Sequence, residues 1–285
     1  MDARWWQLGS QVMLLLFGVL IRDFSIEISQ VILTFVAALA SQKICTKLVG
    51  LPHANLLSPL NTALSLAILL RSDTLWIHPL AASLSIASKF TIRFRGKHII
   101  NPSVLGIIAM LTLTDEAWLS PGQWGHNVLM VFWFALAGLT VVRKVGRMDL
   151  TFGFLGALFL LKLGRIIYLG DRFEVLLHQF DQGALIVFAF FMITDPKTTP
   201  NARPGRILFA SLAACITFYL QHWHYMSSAP VYALLMVAPL VPLMAHIFPA
   251  LRFEWRKKPE QQPEQQPDPS PEPRLATQTS AGAFS

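Results

Sequence analysis

Charged residues are scarce in this chain, and their scarcity excludes an ordinary soluble domain. Only 14% of the 285 residues are Asp, Glu, Lys or Arg, whereas soluble domains contain about a quarter. The deficit falls on long apolar segments, and the mean hydropathy is +0.50. A bilayer crossing needs roughly 20 apolar residues, because the hydrocarbon core is about 30 Å thick. The composition therefore predicts an integral membrane protein.

Motifs for catalysis and metal binding are missing as well. The two cysteines, Cys45 and Cys215, stand alone in apolar segments without the spacing of a metal site. We interpret them as buried small hydrophobic side chains. The sequence has no Gly-rich phosphate loop, no nucleophile triad and no identifiable pair of catalytic carboxylates. No small-residue cleavage site follows the first apolar segment, so we expect a span there and not a cleaved signal.

The sequence is built instead from a series of apolar segments. Two of them are about 13 residues long, and at 1.5 Å per residue such a helix cannot cross the hydrocarbon core. We predict that these two are half-helices buried inside an all-α protein, where a polar break is tolerated. The ten segments, of which the third and eighth are short, cover roughly residues 7–21, 28–49, 59–71, 75–92, 99–114, 127–143, 149–168, 182–194, 206–221 and 230–250.

Positive charge is distributed unevenly between the predicted loops. Eighteen of the 23 Lys and Arg residues fall on one side of the membrane, and an excess of Lys and Arg marks the cytoplasmic side. Both termini are therefore predicted to be cytoplasmic. The net charge of +7 follows from this topology, and no basic stripe with interleaved aromatic residues indicates nucleic-acid binding. The opposite side keeps Arg22, Arg71, Lys162, Arg165 and Arg172.

The two short segments resemble each other in sequence. Residues 61–73 align with residues 182–195 when one residue is inserted. They lie five segments apart, so they run in opposite directions, as in membrane proteins built from inverted repeats. We predict a five-plus-five inverted repeat, with halves of roughly 5–125 and 126–250, in a membrane domain of residues 1–255. Residues 256–285 are rich in Pro, Glu and Gln, which predicts a disordered cytoplasmic tail.

The end of the eighth segment carries the most informative polar residues. An apolar helix runs into Thr194-Asp195-Pro196, and proline disfavours the helical conformation of the residue before it, so the helix should end near Asp195. Ionisable residues at membrane depth are costly and often functional. The alternative is a helix stop in which Asp195 hydrogen-bonds its own turn. Arg71 and Asp73 close the third segment in the same way, and they either line the same central site or face the external surface.

The start of the fifth segment is the second candidate. Asn101 suits a helix N-cap and Pro102 suits the first helical turn. An inward-facing helix N-terminus offers free N–H groups and the positive end of a dipole to a phosphate or an electron-rich ring. Ordinary capping is the alternative. The sequence His222-Trp223-His224 falls in a predicted external loop; no third metal ligand is evident there, and an interfacial loop is favoured.

These motifs together resemble one membrane family. The Asn-Pro opening, a Gly-Ala helix that ends in Thr-Asp-Pro, and the following residues 203–206 are similar to the D subunit of the Rnf electron-transport complex and the B subunit of the sodium-pumping NADH:quinone reductase. The resemblance covers roughly residues 5–250. It implies a urea-channel-like fold of ten helices, a flavin held inside the bundle, partner subunits of a redox complex, and the bacterial inner (cytoplasmic) membrane. The cofactor-binding residues that it implies are Asn101, Pro102, Ser103, Gly183, Thr194, Asp195 and Thr198.

One departure from the family concerns the flavin. Members of the family usually carry a Ser-Gly-Ala-Thr motif, whose threonine holds FMN through a phosphodiester bond, and this sequence has none. We therefore expect riboflavin or FMN bound without a covalent link. The first functional hypothesis is a flavin-relay subunit of an electron-transport complex. The alternatives are a channel or transporter for a small polar solute on the same fold, and a purely structural or assembly role.

Overall fold

The computed structural model describes residues 3–20, 27–51, 55–94, 96–120, 128–180, 183–251 and 253, with the backbone alone at Ala3 and residues 128–134. All of them lie in the compact unit Met1–Phe253. The predicted tail, residues 256–285, lies outside the described residues.

Five helices occur in the described residues of the first half of the chain. Asn101 begins the fifth of them as an N-cap, with Pro102 in the first turn, as the sequence predicts. The five helices are α1 Ala3–Leu20, α2 Ile28–Leu48, α3 Leu57–Leu69, α4 Ile77–Thr91 and α5 Pro102–Leu113.

Seven helices occur in the described part of the second half, and one of them changes its winding. Helix α9, Gly183–Val187, continues directly as a π-helix, Phe188–Met192, which we call the π segment. A 3₁₀ turn, Ala238–Leu240, joins α11 to α12. The other six helices are α6 Val128–Val145, α7 Met148–Leu169, α8 Phe173–Phe180, α10 Arg203–Trp223, α11 Ala229–Val237 and α12 Val241–Ile247.

Each of the ten predicted apolar segments contains a helix, and α8 is an additional one. Three helical stretches within the described residues are long and apolar enough to cross a membrane: Ile28–Leu48, Met148–Leu169 and Ala229–Ile247. A fourth counts if Phe173–Phe180 and Gly183–Met192, bent by 60°, form one span. The protein is therefore mostly helical with several candidate spans, and the ten-span inverted repeat stays a prediction.

The two short helices are buried, as predicted. In α3, every residue from Thr62 to Leu69 is buried, and so are Leu185 to Met192 in α9 and the π segment. A helix that ends inside the protein leaves carbonyl groups that other protein groups must satisfy. The surroundings of these two helix ends therefore define the interior of the molecule.

Two short β-ladders lie beside the helices of this mostly helical protein, which is consistent with the predicted all-α membrane fold class. Strand β1, Leu70–Ser72, pairs antiparallel with β4, Ala117–Leu119, and β2, Arg93–Phe94, pairs with β3, Lys97–His98. The first ladder takes over directly where α3 ends and satisfies backbone groups that the helix can no longer pair. Strands of two or three residues are too short to show an alternating pattern in the sequence.

Within the core, the π segment packs against α6 and α7. The rings of Phe154 and Phe188 are 5.0 Å apart, and the Thr151 hydroxyl donates to the Ala189 carbonyl at 2.7 Å. A Cβ on Gly138 of α6 would lie 2.7 Å from the Cβ of Phe190. Glycine at position 138 is therefore what allows α6 to approach the π segment.

Candidate functional site

Asn101 connects the two stretches that the sequence singles out. Its Oδ1 accepts hydrogen bonds from the backbone N–H groups of Ser103 at 3.0 Å and Val104 at 3.4 Å. Its Nδ2 donates to the carbonyl oxygen of Met192 at 3.2 Å. The side chain is buried. One amide thus caps α5 and satisfies a carbonyl at the end of the π segment, and we call this contact the Asn101 junction.

The helix before Asp195 ends three residues before it. The π segment stops at Met192, and the next residues form turns. The Thr194 hydroxyl donates to the Phe190 carbonyl at 2.7 Å. Oδ1 of Asp195 accepts from the Lys197 N–H at 2.9 Å, and the Asp195 carbonyl accepts from the Thr198 N–H at 3.2 Å. Asp195 therefore hydrogen-bonds its own turn, which is the alternative raised by the sequence.

Basic side chains from three other elements surround this turn. Lys97 of β3 donates to the Thr199 carbonyl at 2.7 Å, and Arg147, before α7, donates to the Pro200 carbonyl at 2.9 Å. The charge of Asp195 acts on Lys89, His98 and Arg147. One carboxylate thus faces several basic side chains, and the surroundings of this turn are electropositive.

Burial lowers the pKa values of two groups beside the turn. The pKa of His98 lies below its usual value, mainly through burial; the charge of Asp195 opposes this, whereas Lys89 and Lys197 reinforce it. Burial lowers the pKa of Arg147 to about 10, with Arg206 adding to the shift. Both groups therefore favour the neutral form more than they would in water.

An ion pair fixes the position of α10 next to the turn. Arg206 contacts Oδ2 of Asp149 with Nη2 at 2.6 Å and with Nε at 2.7 Å, and it also donates to the Asn201 carbonyl. Gly205 packs against the turn, because a Cβ there would lie 3.1 Å from the Cβ of Pro200. The conformation of residues 193–200 is thus held from several sides.

An apolar cleft lies between the two short helices and was not predicted from the sequence. It holds about 20 Å³, which is room for about one water molecule. Phe188 and Met192 belong to its wall, and the Met192 carbonyl also receives the Asn101 amide. The cleft therefore adjoins the Asn101 junction. Its lining residues are Leu69, Leu119, Ala184, Leu185, Phe188, Met192, Ser227, Pro230 and Val231.

Gly183 lies apart from the other predicted site residues. It opens α9, nine residues before Met192, which is about 14 Å along a helix at 1.5 Å per residue. Its neighbour Ala184 lines the cleft. The predicted residues therefore fall at two ends of one short helix, with the cleft beside it.

Two other sequence predictions are corrected. His222 and Trp223 belong to the last turn of α10, not to a loop, and no group of three or more possible metal ligands occurs in the described part of the chain. Cys45 is half-buried and Cys215 is exposed, so neither is the fully buried residue we expected.

Comparison with known proteins bears on the same region. Residues 115–254 match the model of the NQR2, RnfD, RnfE family. The resemblance to the RnfD family is confirmed. The family match includes Gly183, Thr194, Asp195 and Thr198, and it begins after the Asn101 junction residues of α5. Together with the candidate spans, the family match indicates that this chain is a multi-pass membrane protein.

Individual relatives are named as the D subunit of an ion-translocating oxidoreductase complex. The protein of Stutzerimonas stutzeri is 30% identical over 93 residues, covering 31% of this chain and 26% of the relative. That of Shewanella sediminis is 32% identical over 121 residues, covering 40% and 34%. That of Vibrio vulnificus strain YJ016 is 30% identical over 113 residues, covering 39% and 32%. The aligned part thus spans about a third of the length of these relatives.

The size and the chemistry of the cleft test whether it fits a flavin. Ligand pockets usually enclose about 300–1,000 Å³ with mostly apolar walls, whereas this cleft has apolar walls but holds only about 20 Å³. Among its lining residues, only Ser227 has a polar side chain, and none is cationic. A phosphate needs cations or convergent N–H donors. The cleft in this structure is therefore too small for a flavin ring, and its walls do not supply a phosphate site.

Proposed function

We propose that this chain is a membrane subunit of an electron-transport complex and relays electrons through a flavin bound non-covalently between its two short helices. The observation that carries the proposal is the match of residues 115–254 to the NQR2, RnfD, RnfE family. The cofactor would be riboflavin or FMN, and the two short helices would have to separate to admit its ring, because the cleft between them is too small for it. The bound flavin would supply the redox chemistry, whereas the protein supplies position and electrostatics.

The Asn101 junction forms the inner end of the proposed site. The N-terminus of α5, capped by Asn101, directs the positive end of its dipole to this end. Pro102, Ser103, Thr194, Asp195 and Thr198 shape this end, and Gly183 begins the helix whose next residue lines the cleft. Positive potential here would favour the addition of an electron, because it stabilises the charge that reduction brings.

The remaining parts of the proposal concern the assembly. We propose a ten-span inverted repeat, cytoplasmic termini, the bacterial inner membrane and partner subunits of a redox complex; the resemblance and the charge distribution support these proposals. The names of the relatives support the proposal that this chain acts with partner subunits.

A channel for a small polar solute is the second candidate, and polar side chains along α3 favour it. Gln11 donates to the Ser65 hydroxyl at 3.0 Å, while its own Oε1 is buried without a hydrogen-bond partner. Oδ1 of Asn61, one turn before Ser65, is also buried without a hydrogen-bond partner. Such groups can line a path for a solute that hydrogen-bonds to them.

The first experiment is a visible spectrum of the purified protein, taken before and after denaturation and filtration. We expect a flavin spectrum that passes the filter after denaturation. Ala184→Leu, which fills the cleft, should lower the flavin content per protein, and Ala87→Leu, at a half-buried helical alanine outside the cleft, should not. A folded protein that contains no flavin when purified with added riboflavin, and that conducts solute saturably in proteoliposomes, would favour the channel.

A further inference from the structure

Helices α7 and α10 lie side by side, in the same direction and in register. Asp149 contacts Arg206, which is 57 positions later. One turn further along, a Cβ on Gly153 would lie 3.3 Å from the Cβ of Ala210, at the same offset. At that offset Arg165 lies level with His222. The two helices therefore carry a set of basic residues together at their far ends.

Three basic side chains meet there, between α7, α8 and α10. Lys162 is only 5% exposed, and its Nζ donates to Oε1 of Gln179 in α8 at 2.9 Å. The charges of Lys162 and Arg165 both act on His222. Nε2 of His222 is buried and has no hydrogen-bond partner. We call Lys162, Arg165 and His222 the Lys162 cluster.

The Lys162 cluster forms no ion pair within the described residues. At the opposite end of the same two helices, Arg206 is paired with Asp149. Neither Lys162 nor Arg165 forms an ion pair in the part of the chain that the structure describes. A buried cation whose acceptor is a neutral amide is costly unless an anion accompanies it. The cluster is therefore arranged to receive a negatively charged group.

The position of the Lys162 cluster indicates where that group comes from. Counted from Met148, Lys162 lies about 21 Å and Arg165 about 25 Å along α7 at 1.5 Å per residue, near the far boundary of a hydrocarbon core of about 30 Å. Large apolar and aromatic side chains are exposed at the same helix ends, as in the interfacial belts of membrane proteins. They are Ile167, Tyr168, Phe173, Leu177, Tyr219 and Trp223.

We propose that the Lys162 cluster binds the phosphate headgroup of an anionic phospholipid, whose acyl chains cover the exposed side chains around it. The ammonium of Lys162 and the guanidinium of Arg165 would donate charge-assisted hydrogen bonds to the phosphate oxygens. His222 would donate from Nε2, which no protein group occupies. This site is separate from the flavin cleft, so it does not depend on the proposed electron transfer.

The test compares full-length protein in nanodiscs of phosphatidylcholine with nanodiscs that also contain phosphatidylglycerol. We expect phosphatidylglycerol to raise the thermal unfolding midpoint of the wild type. The double variant Lys162→Met, Arg165→Gln should lose this increase. Arg172→Gln is the matched control, because Arg172 is an exposed arginine beyond the end of α7 and outside the cluster. The Arg172→Gln variant should keep the increase in unfolding midpoint, although it also removes one positive charge near the same surface.

Native mass spectrometry then counts the phosphatidylglycerol that stays bound. Removing two charge-assisted contacts should weaken retention by roughly a hundredfold or more. Equal retention by the wild type and the double variant would overturn the proposal. If inorganic phosphate in phosphatidylcholine nanodiscs raised the midpoint as much as phosphatidylglycerol does, the site would belong to a free anion and the lipid assignment would be wrong. If the double variant does not fold, Arg165→Gln alone carries the test, since it keeps the contact between Lys162 and Gln179.

Discussion

Asp195 shows how one side chain serves two purposes. Its Oδ1 closes a turn by accepting from the Lys197 N–H, and its charge acts on Lys89, His98 and Arg147. The first purpose needs an acceptor oxygen, and the second needs a negative charge. Substitutions can therefore separate them.

Asp195→Asn should leave the fold intact and lower the flavin content. Asparagine keeps the acceptor of the turn but removes the charge that faces the surrounding cations. Asp195→Ala removes both, and losing the hydrogen bond should cost about 1 kcal/mol of stability. The measurements are thermal unfolding in detergent and flavin absorbance per protein. Unchanged flavin content and electron transfer in folded Asp195→Asn would show that the carboxylate charge has no part in the site.

Asn101 is the second residue whose substitution separates two contacts. Asn101→Ala should destabilise the protein by roughly 1–3 kcal/mol, because the N-cap of α5 contributes about 1 kcal/mol and the bond to Met192 about as much again. Asn101→Ser should recover only the capping part, since its short side chain can accept from the first turn. Unfolding midpoints of the three proteins check the order. Equal stability of the Ser and Ala variants would mean that capping contributes nothing.

At the scale of elements, the π segment links the cleft to the helix packing around it. Its residues line the cleft, contact Gly138 of α6, and accept a hydrogen bond from Thr151 of α7. Single π-helical turns occur frequently at functional sites. Because the π segment contacts both α6 and α7, a displacement of α6 should change the shape of the cleft.

Gly138→Ala should reduce both stability and flavin content. The added Cβ would lie 2.7 Å from the Cβ of Phe190, so one of the two helices must move. Overpacking of this kind typically costs about 1–3 kcal/mol. Gly156→Ala in α7 is the control, since a Cβ there meets nothing within 4 Å. It should be neutral or stabilise by about 0.5–1 kcal/mol. If both variants behaved alike in unfolding and flavin assays, the close approach of α6 would have no role.

At the scale of the whole molecule, charge separates the two ends of the parallel pair α7 and α10. One end holds Asp149 and Arg206 beside the turn of Asp195, where acids and bases are mixed. The other holds Lys162 and Arg165 without an ion pair among the described residues. The mixed end should respond to pH, whereas the basic end should respond to anions.

Acidification should destabilise the mixed end through His98. Its pKa is lowered in the folded protein from the usual 6.5, so the unfolded chain binds the proton more readily. Stability is therefore complete above pH 6.5 and falls as the pH drops below that value. His98→Gln should show a smaller loss of unfolding midpoint between pH 7 and pH 5 than the wild type does. If the unfolding midpoint of His98→Gln fell by as much as that of the wild type, groups other than His98 would cause the pH dependence.

Much of the helical organisation was predictable because it depends on local order. Apolar runs located all ten helical segments, and Asn101-Pro102 located the start of α5. The Thr-Asp-Pro motif located the turn, but the helix ends at Met192, before the position that Pro196 alone suggests. The turns at residues 193–195 are stabilised by hydrogen bonds from Thr194 and from residues after Asp195. The conformational effect of Pro196 on the residue before it does not predict these hydrogen bonds.

The sequence by itself determined the membrane character, the two short helices and the family resemblance, since composition, run length and contiguous motifs are local properties. Only the tertiary structure decided the rest. The cleft, the Asn101 contact to Met192 and the Lys162 cluster each join residues distant in the chain. The π-helical winding also depends on the tertiary structure, because the hydroxyl of Thr151 in α7 donates a hydrogen bond to one of its carbonyl groups. Such contacts depend on packing, and an apolar run does not specify which of its residues will face a neighbour, a cleft or lipid.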